Sequence, residues 1–111
     1  MAVENINYCI KVAACICAKD GIISEAEEHT MFQVLAEKFP ECDKGVFELA
    51  LTEFFDSDDQ IEDYLGLIKD ERLRKFTLLL AETSAGADGL DIKENIALEK
   101  AYLLWGVNRH A

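Results

Sequence analysis

The chain has little proline, little positive charge and no long apolar run. It contains one proline and six glycines in 111 residues, so no Pro/Gly/Ser-rich linker divides it. Lysine and arginine number 11 against 22 aspartates and glutamates, which leaves a net charge of −11. This shortage of positive charge disfavours nucleic-acid binding through phosphate neutralisation, and it disfavours docking on anionic membrane surfaces.

Two further absences bear on the compartment. No segment reaches the ~18 uninterrupted apolar residues that a membrane span requires. The first five residues lack the basic start of a secretory signal. We therefore expect a cytoplasmic protein that is not directly inserted in a membrane.

What is present favours a folded globule. Half of the residues are apolar, which is enough to build a core and argues against disorder. The length suits one unit of the usual ~100–150 residues. We expect a single domain over residues 1–111.

The four cysteines, at positions 9, 15, 17 and 42, do not form a recognisable metal or disulfide pattern. There is no CxxC pair, so a structural zinc site is not favoured. Three of the cysteines lie in one helix-like run, and Cys15 and Cys17 point to different sides of such a helix. We expect buried, reduced thiols that act as small apolar groups.

Apolar residues recur at three- and four-residue spacing along the whole chain, and no window shows sustained β alternation. The first stripe, over about residues 3 to 19, is Ile6, Cys9, Ile10, Ala13, Ala14, Cys17 and Ala18. Later stripes include Met31, Val34, Leu35 and Phe39; Leu73, Phe76, Leu79 and Leu80; and Ile96, Leu98, Ala101, Tyr102, Leu104 and Trp105. The pattern predicts an all-α bundle of about six to seven helices.

Capping residues mark where these helices begin. The predicted N-terminal signals are Ser24 with Glu27, Asp43, Ser57 with Gln60, Asp70, and Asp91 with Glu94. The predicted stops are Asp20-Gly21, Pro40 and Ala87-Asp88-Gly89, where glycine supplies the turn and proline ends a helix.

The two Asp-Gly turns repeat one another. Each runs from a helix through Asp-Gly to an apolar residue (Ile23 or Leu90), a capping residue and a glutamate. The second copy is one residue shorter. The pattern predicts two pseudo-repeated helix–Asp-Gly turn–helix hairpins, with the apolar residue of each turn plugged into the core.

Asp20 and Asp88 are the residues of these turns whose role is not obvious. A carboxylate is unfavourable near the negative end of a helix dipole. Three explanations stay open: a hydrogen bond within the turn, a basic partner, or a cation shared between the two turns.

Residues 18–28 and 87–94 resemble the paired turns of TerB-like proteins, which read Ala-Asp-Gly, an apolar residue, a capping residue and glutamate. This family includes the tellurite-resistance protein TerB and the membrane-proximal domain of a DnaJ-type co-chaperone. The likeness extends from the first helix to Trp105. It departs from the family pattern at Lys19, which stands where the family has a small residue, and in the shorter second turn.

The resemblance implies an all-helical fold with pseudo-twofold halves, cytoplasmic bacterial stress biology and no established catalysis. It also implies acidic residues in contact with a divalent cation or a partner. Carried over by position, these are Asp20 and Glu27 in the first turn and Asp88 and Glu94 in the second. The two departures bear on whether such a cation site is symmetric.

A second acidic feature lies between Lys44 and Lys69, which enclose seven acids and no base. An EF-hand does not fit, because Ile61 occupies the glycine position and Leu67 stands where the bidentate glutamate belongs. The run can be a solvated face, a surface that attracts cations weakly, or a docking face for a basic partner. The candidate partner-binding residues are Asp56, Asp58, Asp59, Glu62 and Asp63.

No catalytic arrangement is recognisable. His29 sits beside Glu25 and Glu28, but there is no nucleophile–histidine–acid order, phosphate loop or nucleophile elbow. We therefore expect a protein that is not an enzyme, with a divalent cation as its one possible cofactor. The predicted function is a non-catalytic binding or scaffold module of a bacterial, tellurite-resistance-like stress pathway.

We expect this module to bind a protein partner and no nucleic acid. The sequence leaves open whether that partner is associated with a membrane, and it leaves open the oligomeric state. The alternative function is an acidic interaction module of the immunity or inhibitor type, without metal, that mimics a polyanion.

Overall fold

A computed structural model describes residues 3–20, 23–57 and 60–109, and at positions 3, 4, 20 and 88 it describes the backbone alone. The described part contains six α-helices and two short 3₁₀ turns. They are α1 (Val3–Cys17), the first 3₁₀ turn (Ala18–Asp20), α2 (Glu25–Lys38), α3 (Lys44–Phe55), α4 (Ile61–Leu65), α5 (Glu71–Ala85), the second 3₁₀ turn (Gly86–Asp88) and α6 (Ile92–Trp105).

The all-α prediction is confirmed, since no strand occurs in the described ranges. The radius of gyration is 12.5 Å, close to the ~13 Å expected for a compact chain of this length. None of the described helices is both long and apolar enough to cross a bilayer.

Helix α1 is the centre of the bundle, and α5, α3, α4, α6 and α2 all pack against it. The predicted stripe of Ile6, Cys9, Ile10, Ala13, Ala14 and Cys17 is buried. Burial extends further than the stripe, because Val12, Cys15 and Ile16 on the other sides are buried as well. The small side chains of Ala13 and Ala14 let neighbouring helices approach closely.

Four of the five predicted N-terminal caps are confirmed. The carboxylate of Asp43 accepts a hydrogen bond from the Val46 N–H at 2.9 Å, and Asp70 accepts from the N–H of Leu73 at 3.1 Å. The other two, at Ser24 and Asp91, are full capping boxes. The predicted stops are confirmed where they are described, because α2 ends at Lys38 and Gly89 turns the chain with φ of 98°; Gly21 lies outside the described residues.

The predicted capping box of Ser57 with Gln60 is wrong. Helix α4 begins three residues later, and Gln60 is its N-cap, with its N–H donating to the Asp63 carboxylate at 2.8 Å. The Ser57 hydroxyl instead lies 3.3 Å from the Tyr64 hydroxyl. Tyr64 is buried, so its polar end needs a partner at the rim of the core.

Several apolar residues that were expected in the core are exposed. Leu90 is 37% exposed, because the shorter second turn leaves a single apolar residue between Gly89 and the cap of α6. Three further residues that were expected in the core are exposed as well: Leu79, Ile96 and Leu104. On α6 the buried face is narrow and consists of Glu94, Ala97, Leu98 and Ala101, so the helix has a wide face toward solvent.

The C-terminal end of α6 is fixed to its neighbours by polar contacts. The Trp105 indole N–H donates to the Leu65 carbonyl at 3.0 Å. Arg109 pairs with Glu99 at 2.6 Å and with Glu82 of α5 at 3.5 Å. These contacts set the orientation of α6 on α4 and α5.

The close packing around α1 leads to a stability prediction. We expect Ala13→Leu to lower the free energy of unfolding by about 1–3 kcal/mol, because extra methyl groups in a filled core force neighbouring helices apart. The matched control is Ala26→Leu on the exposed side of α2, which we expect to stay within about 0.5 kcal/mol of the unmodified chain. Urea unfolding measures both, and equal effects of the two substitutions would contradict the central role of α1.

Candidate functional site

Two glutamates occupy equivalent positions in the two capping boxes. Glu27 is the third residue of α2, and its Oε1 accepts from the Ser24 N–H at 2.9 Å while the Ser24 hydroxyl accepts from the Glu27 N–H at 3.1 Å. Glu94 repeats this arrangement in α6 with Asp91, at 3.2 and 2.7 Å. The capping role explains why each hairpin needs a glutamate at this place.

Capping does not explain why both side chains are buried. Each of these two glutamates is only 3% exposed, whereas the third residue of a helix usually faces water. The cause lies in the packing: the first 3₁₀ turn lies against α6, and the second lies against α2. Each turn therefore packs on the helix that follows the other turn.

This packing brings the Glu27 and Glu94 carboxyl groups together within the bundle. Burial, together with the neighbouring Glu27 carboxyl as a hydrogen-bond partner and a like charge, raises the pKa of Glu94 to about 7. The second oxygen of Glu27, Oε2, is buried and has no hydrogen-bond donor in the described part of the chain. Neither glutamate forms an ion pair with any described side chain.

Two carboxyl groups in contact inside a protein cannot both stay charged without a counterion. Either a proton bridges them or a cation lies between them. The pair can therefore hold a proton at neutral pH, or it can supply two oxygen ligands to a metal ion.

The other two acids predicted for this site are located only by their backbones. Asp20 ends the first 3₁₀ turn and Asp88 ends the second, so they belong to the segments that pack on α6 and α2. Their side chains lie outside the described residues. Among the side chains that are described, no three His, Cys, Asp or Glu groups come together in a way that could hold a metal ion.

The acidic run between Lys44 and Lys69 has partners from distant helices. Lys11 of α1 lies 3.5 Å from Glu53, and Lys100 of α6 pairs with Glu62. The hydrogen bond from Lys100 lowers the pKa of Glu62.

Of the candidate partner-binding acids, Asp63 caps α4, Glu62 is ion-paired, and Asp56 is exposed. Asp58 and Asp59 lie outside the described residues. No local pattern marks these two pairings, because Lys11 and Lys100 are far from the run along the chain.

His29 lines a polar pocket of about 280 Å³ together with Glu25, Glu28 and Lys44. The Lys44 ammonium lies 5.6 Å from the centre of the Phe32 ring. The pocket lacks the hydrogen-bonded nucleophile and base of covalent catalysis in the described part of the chain.

All four cysteines are buried and none is in a disulfide, as predicted. Cys9 lies 3.1 Å from the Thr77 hydroxyl, which also donates to the Leu73 carbonyl. Burial raises the pKa of Cys9 to about 11, so its reactive thiolate form is rare at neutral pH.

No protein family, no characterised protein and no solved structure matches this chain. The resemblance to TerB-like proteins therefore depends on the two turn motifs, and membership of that family stays a prediction.

Burial of the thiols predicts slow modification. We expect a disulfide reagent such as dithionitrobenzoate to react with the four cysteines only as fast as the protein unfolds, and to react with all four at once in ~6 M guanidinium chloride. Rapid labelling of one thiol in the native protein would contradict the burial of that residue.

The carboxyl pair predicts a loss of stability with rising pH. The Glu94 carboxyl titrates near 4.5 in the unfolded chain and near 7 in the folded one, so the folded form binds an extra proton between these values. Its contribution to the free energy of unfolding is complete below pH 4.5 and is lost as the pH rises through about 7. We expect Glu94→Gln to gain stability relative to the unmodified chain across this window, measured by urea unfolding with a chelator present.

The control for this experiment is Glu25→Gln, which removes one exposed carboxylate from the first turn of α2. It should follow the pH dependence of the unmodified chain. The same result for Glu94→Gln would mean that the two carboxyl groups do not interact.

Proposed function

We propose that the protein is a non-catalytic, TerB-like binding module of a bacterial stress pathway, in which the two turns hold a divalent cation and the helical surface docks a protein partner. The observation that carries the proposal is the contact between two buried carboxyl groups, Glu27 and Glu94, which have no basic neighbour among the described side chains.

The unpartnered oxygen of Glu27 gives a shared proton or a cation a place to bind. The capping N–H groups of Ser24 and Asp91 occupy one oxygen of each carboxylate, which leaves the second oxygens for a bridging proton or for a metal ion. A buried acceptor without a donor costs about 1–3 kcal/mol. A metal ion coordinated by the remaining oxygens removes that cost and the repulsion together.

The type of ligand indicates the type of cation. Carboxylate oxygens suit the hard ions Mg²⁺, Ca²⁺ and Mn²⁺, whereas Zn²⁺ prefers nitrogen and sulfur. Asp20 and Asp88 belong to the two segments that cover the pair, and in this proposal they complete the ligand set. The cation then bridges the two hairpins, since each contributes one aspartate and one glutamate.

A bridging cation makes the packing of the two hairpins depend on the concentration of that ion. Because the ligands come from both hairpins, the ion stabilises their mutual packing and hence the surface on which a partner docks. No catalytic step is part of this function.

Thermal unfolding with added cation tests the proposal. An ion that binds only the folded state at about 100 times its dissociation constant adds ~2.7 kcal/mol, which corresponds to a rise of about 10 °C in Tm for a chain of this size. We expect that rise with Ca²⁺, Mg²⁺ or Mn²⁺ for the unmodified chain. We expect no rise for Glu27→Gln/Glu94→Gln or for Asp20→Asn/Asp88→Asn.

The matched control is Glu25→Gln/Glu28→Gln, which removes two acids from the same turn of α2 and should keep the full rise in Tm. Sodium chloride at equal ionic strength measures simple screening. If the carboxyl-pair variant gains as much as the unmodified chain, the cation acts diffusely and the proposed site is wrong.

A further inference from the structure

The solvent face of α6 carries three large apolar side chains that nothing in the described chain covers. Ile92 is 79% exposed, Ile96 62% and Leu103 81%. With 3.6 residues per turn, the three lie within about 40° of one another around the helix and form a straight stripe. Such stripes usually mark a place where another protein binds.

The exposed apolar residues of the other helices do not form such a stripe. On α3, Leu49 and Phe55 are six positions apart and therefore on different sides of the helix. On α5, Leu79 is the single strongly exposed apolar residue. The α6 stripe is therefore a local feature of one helix face.

Positive charge gathers along one side of this stripe. Lys93, Lys100 and Lys19 line a groove of about 340 Å³ between α6, α4 and the first 3₁₀ turn, with Ile61 among the apolar residues that line it. Among the described residues that line it, the one acid is Glu62, which is paired with Lys100. Lys100 is neutralised by this pair, so Lys19 and Lys93, which form no ion pair with a described side chain, are the positive charges that remain beside the apolar stripe of a chain whose net charge is −11.

We infer that this face of α6 docks an acidic, amphipathic helix of a partner protein. Ile92, Ile96 and Leu103 occupy three of the four places of a 4-3-4 spacing, which is the spacing of the seam between two packed helices. The fourth place is Glu99, whose carboxylate is paired with Arg109 at 2.6 Å.

Charge complementarity selects the partner. A helix that packs leucine or isoleucine on the stripe places its flanking residues over the groove that Lys19 and Lys93 line, so acidic residues there are attracted and basic ones repelled. Two nearby acids, Glu62 and Glu99, are paired with Lys100 and Arg109, and salt screens charges beyond about 8 Å at physiological ionic strength.

A second copy of this chain fits the face less well. A twofold interface brings the same patch of each copy together, which places the lysines of one α6 beside the lysines of the other. The acidic helix of another protein has no such conflict.

The inference deepens the proposed function, since it names the docking surface and the chemistry of the partner. The surface and the carboxyl pair are different features of α6. Lys93 and Glu94 are adjacent in sequence, but the lysine faces solvent and the glutamate faces the core. Variants can therefore remove one feature without the other.

The experiment uses three synthetic helical peptides with the same leucine seam. One carries glutamates beside the seam, the second carries lysines there, and the third has the acidic composition in scrambled order. Binding is followed by the chemical shifts of backbone amides and by fluorescence anisotropy. We expect the acidic amphipathic peptide alone to bind, with the largest shift changes along α6.

Two variants locate the contact. We expect Ile96→Ser to weaken binding of the acidic peptide about tenfold through the stripe, and Lys93→Gln to weaken it and to reduce its salt dependence. Both positions are exposed, and Lys93→Gln keeps the ion pair of Lys100 with Glu62, so the fold and the cation-dependent rise in Tm should be unchanged. That second readout separates a failure of this inference from a failure of the cation site.

The matched controls lie on the groove between α2 and α5, which also carries basic side chains beside an exposed leucine. Leu79→Ser and Lys38→Gln remove the same kinds of group there and should leave binding unchanged. The inference is overturned if the acidic peptide does not bind, if the lysine peptide binds equally well, or if these controls weaken binding as much. A dimer in light scattering that Ile96→Ser disperses would assign the face to a second copy and overturn it as well.

Discussion

The burial of α1 on nearly all sides is the constraint on which the rest of the structure depends. Five helices pack against one central helix, so each can offer the core only a narrow face. Alanines and cysteines on α1 supply the small surfaces that this crowding needs. The outer helices are then left with wide exteriors, and both the acidic and the basic features described above lie on segments that surround this centre.

The same crowding explains the contact between Glu27 and Glu94. When the two turns pack on each other's following helix, the third residues of α2 and α6, Glu27 and Glu94, lose their access to water. Two glutamates that accept hydrogen bonds from the backbone N–H groups of their helix caps thereby become a buried pair of carboxyl groups. The two helix caps thus bring two carboxylates together inside the fold, and a shared proton or a bound cation relieves their repulsion.

Features that depend on neighbours in sequence were predictable. The capping boxes at Ser24 and Asp91, the caps at Asp43 and Asp70 and the first helix all follow from residues within a few positions of one another. The cap of α4 was misplaced because Ser57 and Gln60 have the right spacing, while the carboxylate that does the capping, Asp63, lies one turn further along.

Features that depend on which helices meet were not predictable. The pairing of Glu62 with Lys100 joins residues 38 positions apart, and no local pattern marks it. The apolar periodicity of α6 also led to a wrong prediction of burial. Ile96 and Leu104 continue the helical repeat of apolar residues, but both are exposed to solvent. Periodicity predicts that a residue lies on an apolar face, but only the packing decides whether that face is covered.

The double duty of the third residue in α2 and α6 has a consequence for how this sequence can vary. Glutamine and glutamate serve equally well in a capping box, whereas only the carboxylate has the charge that an ion requires. A descendant of this chain could therefore exchange both residues for glutamine, keep its hairpins intact and lose the ion. Divergence at these two positions would separate copies that retain the electrostatic role from copies that retain only the fold.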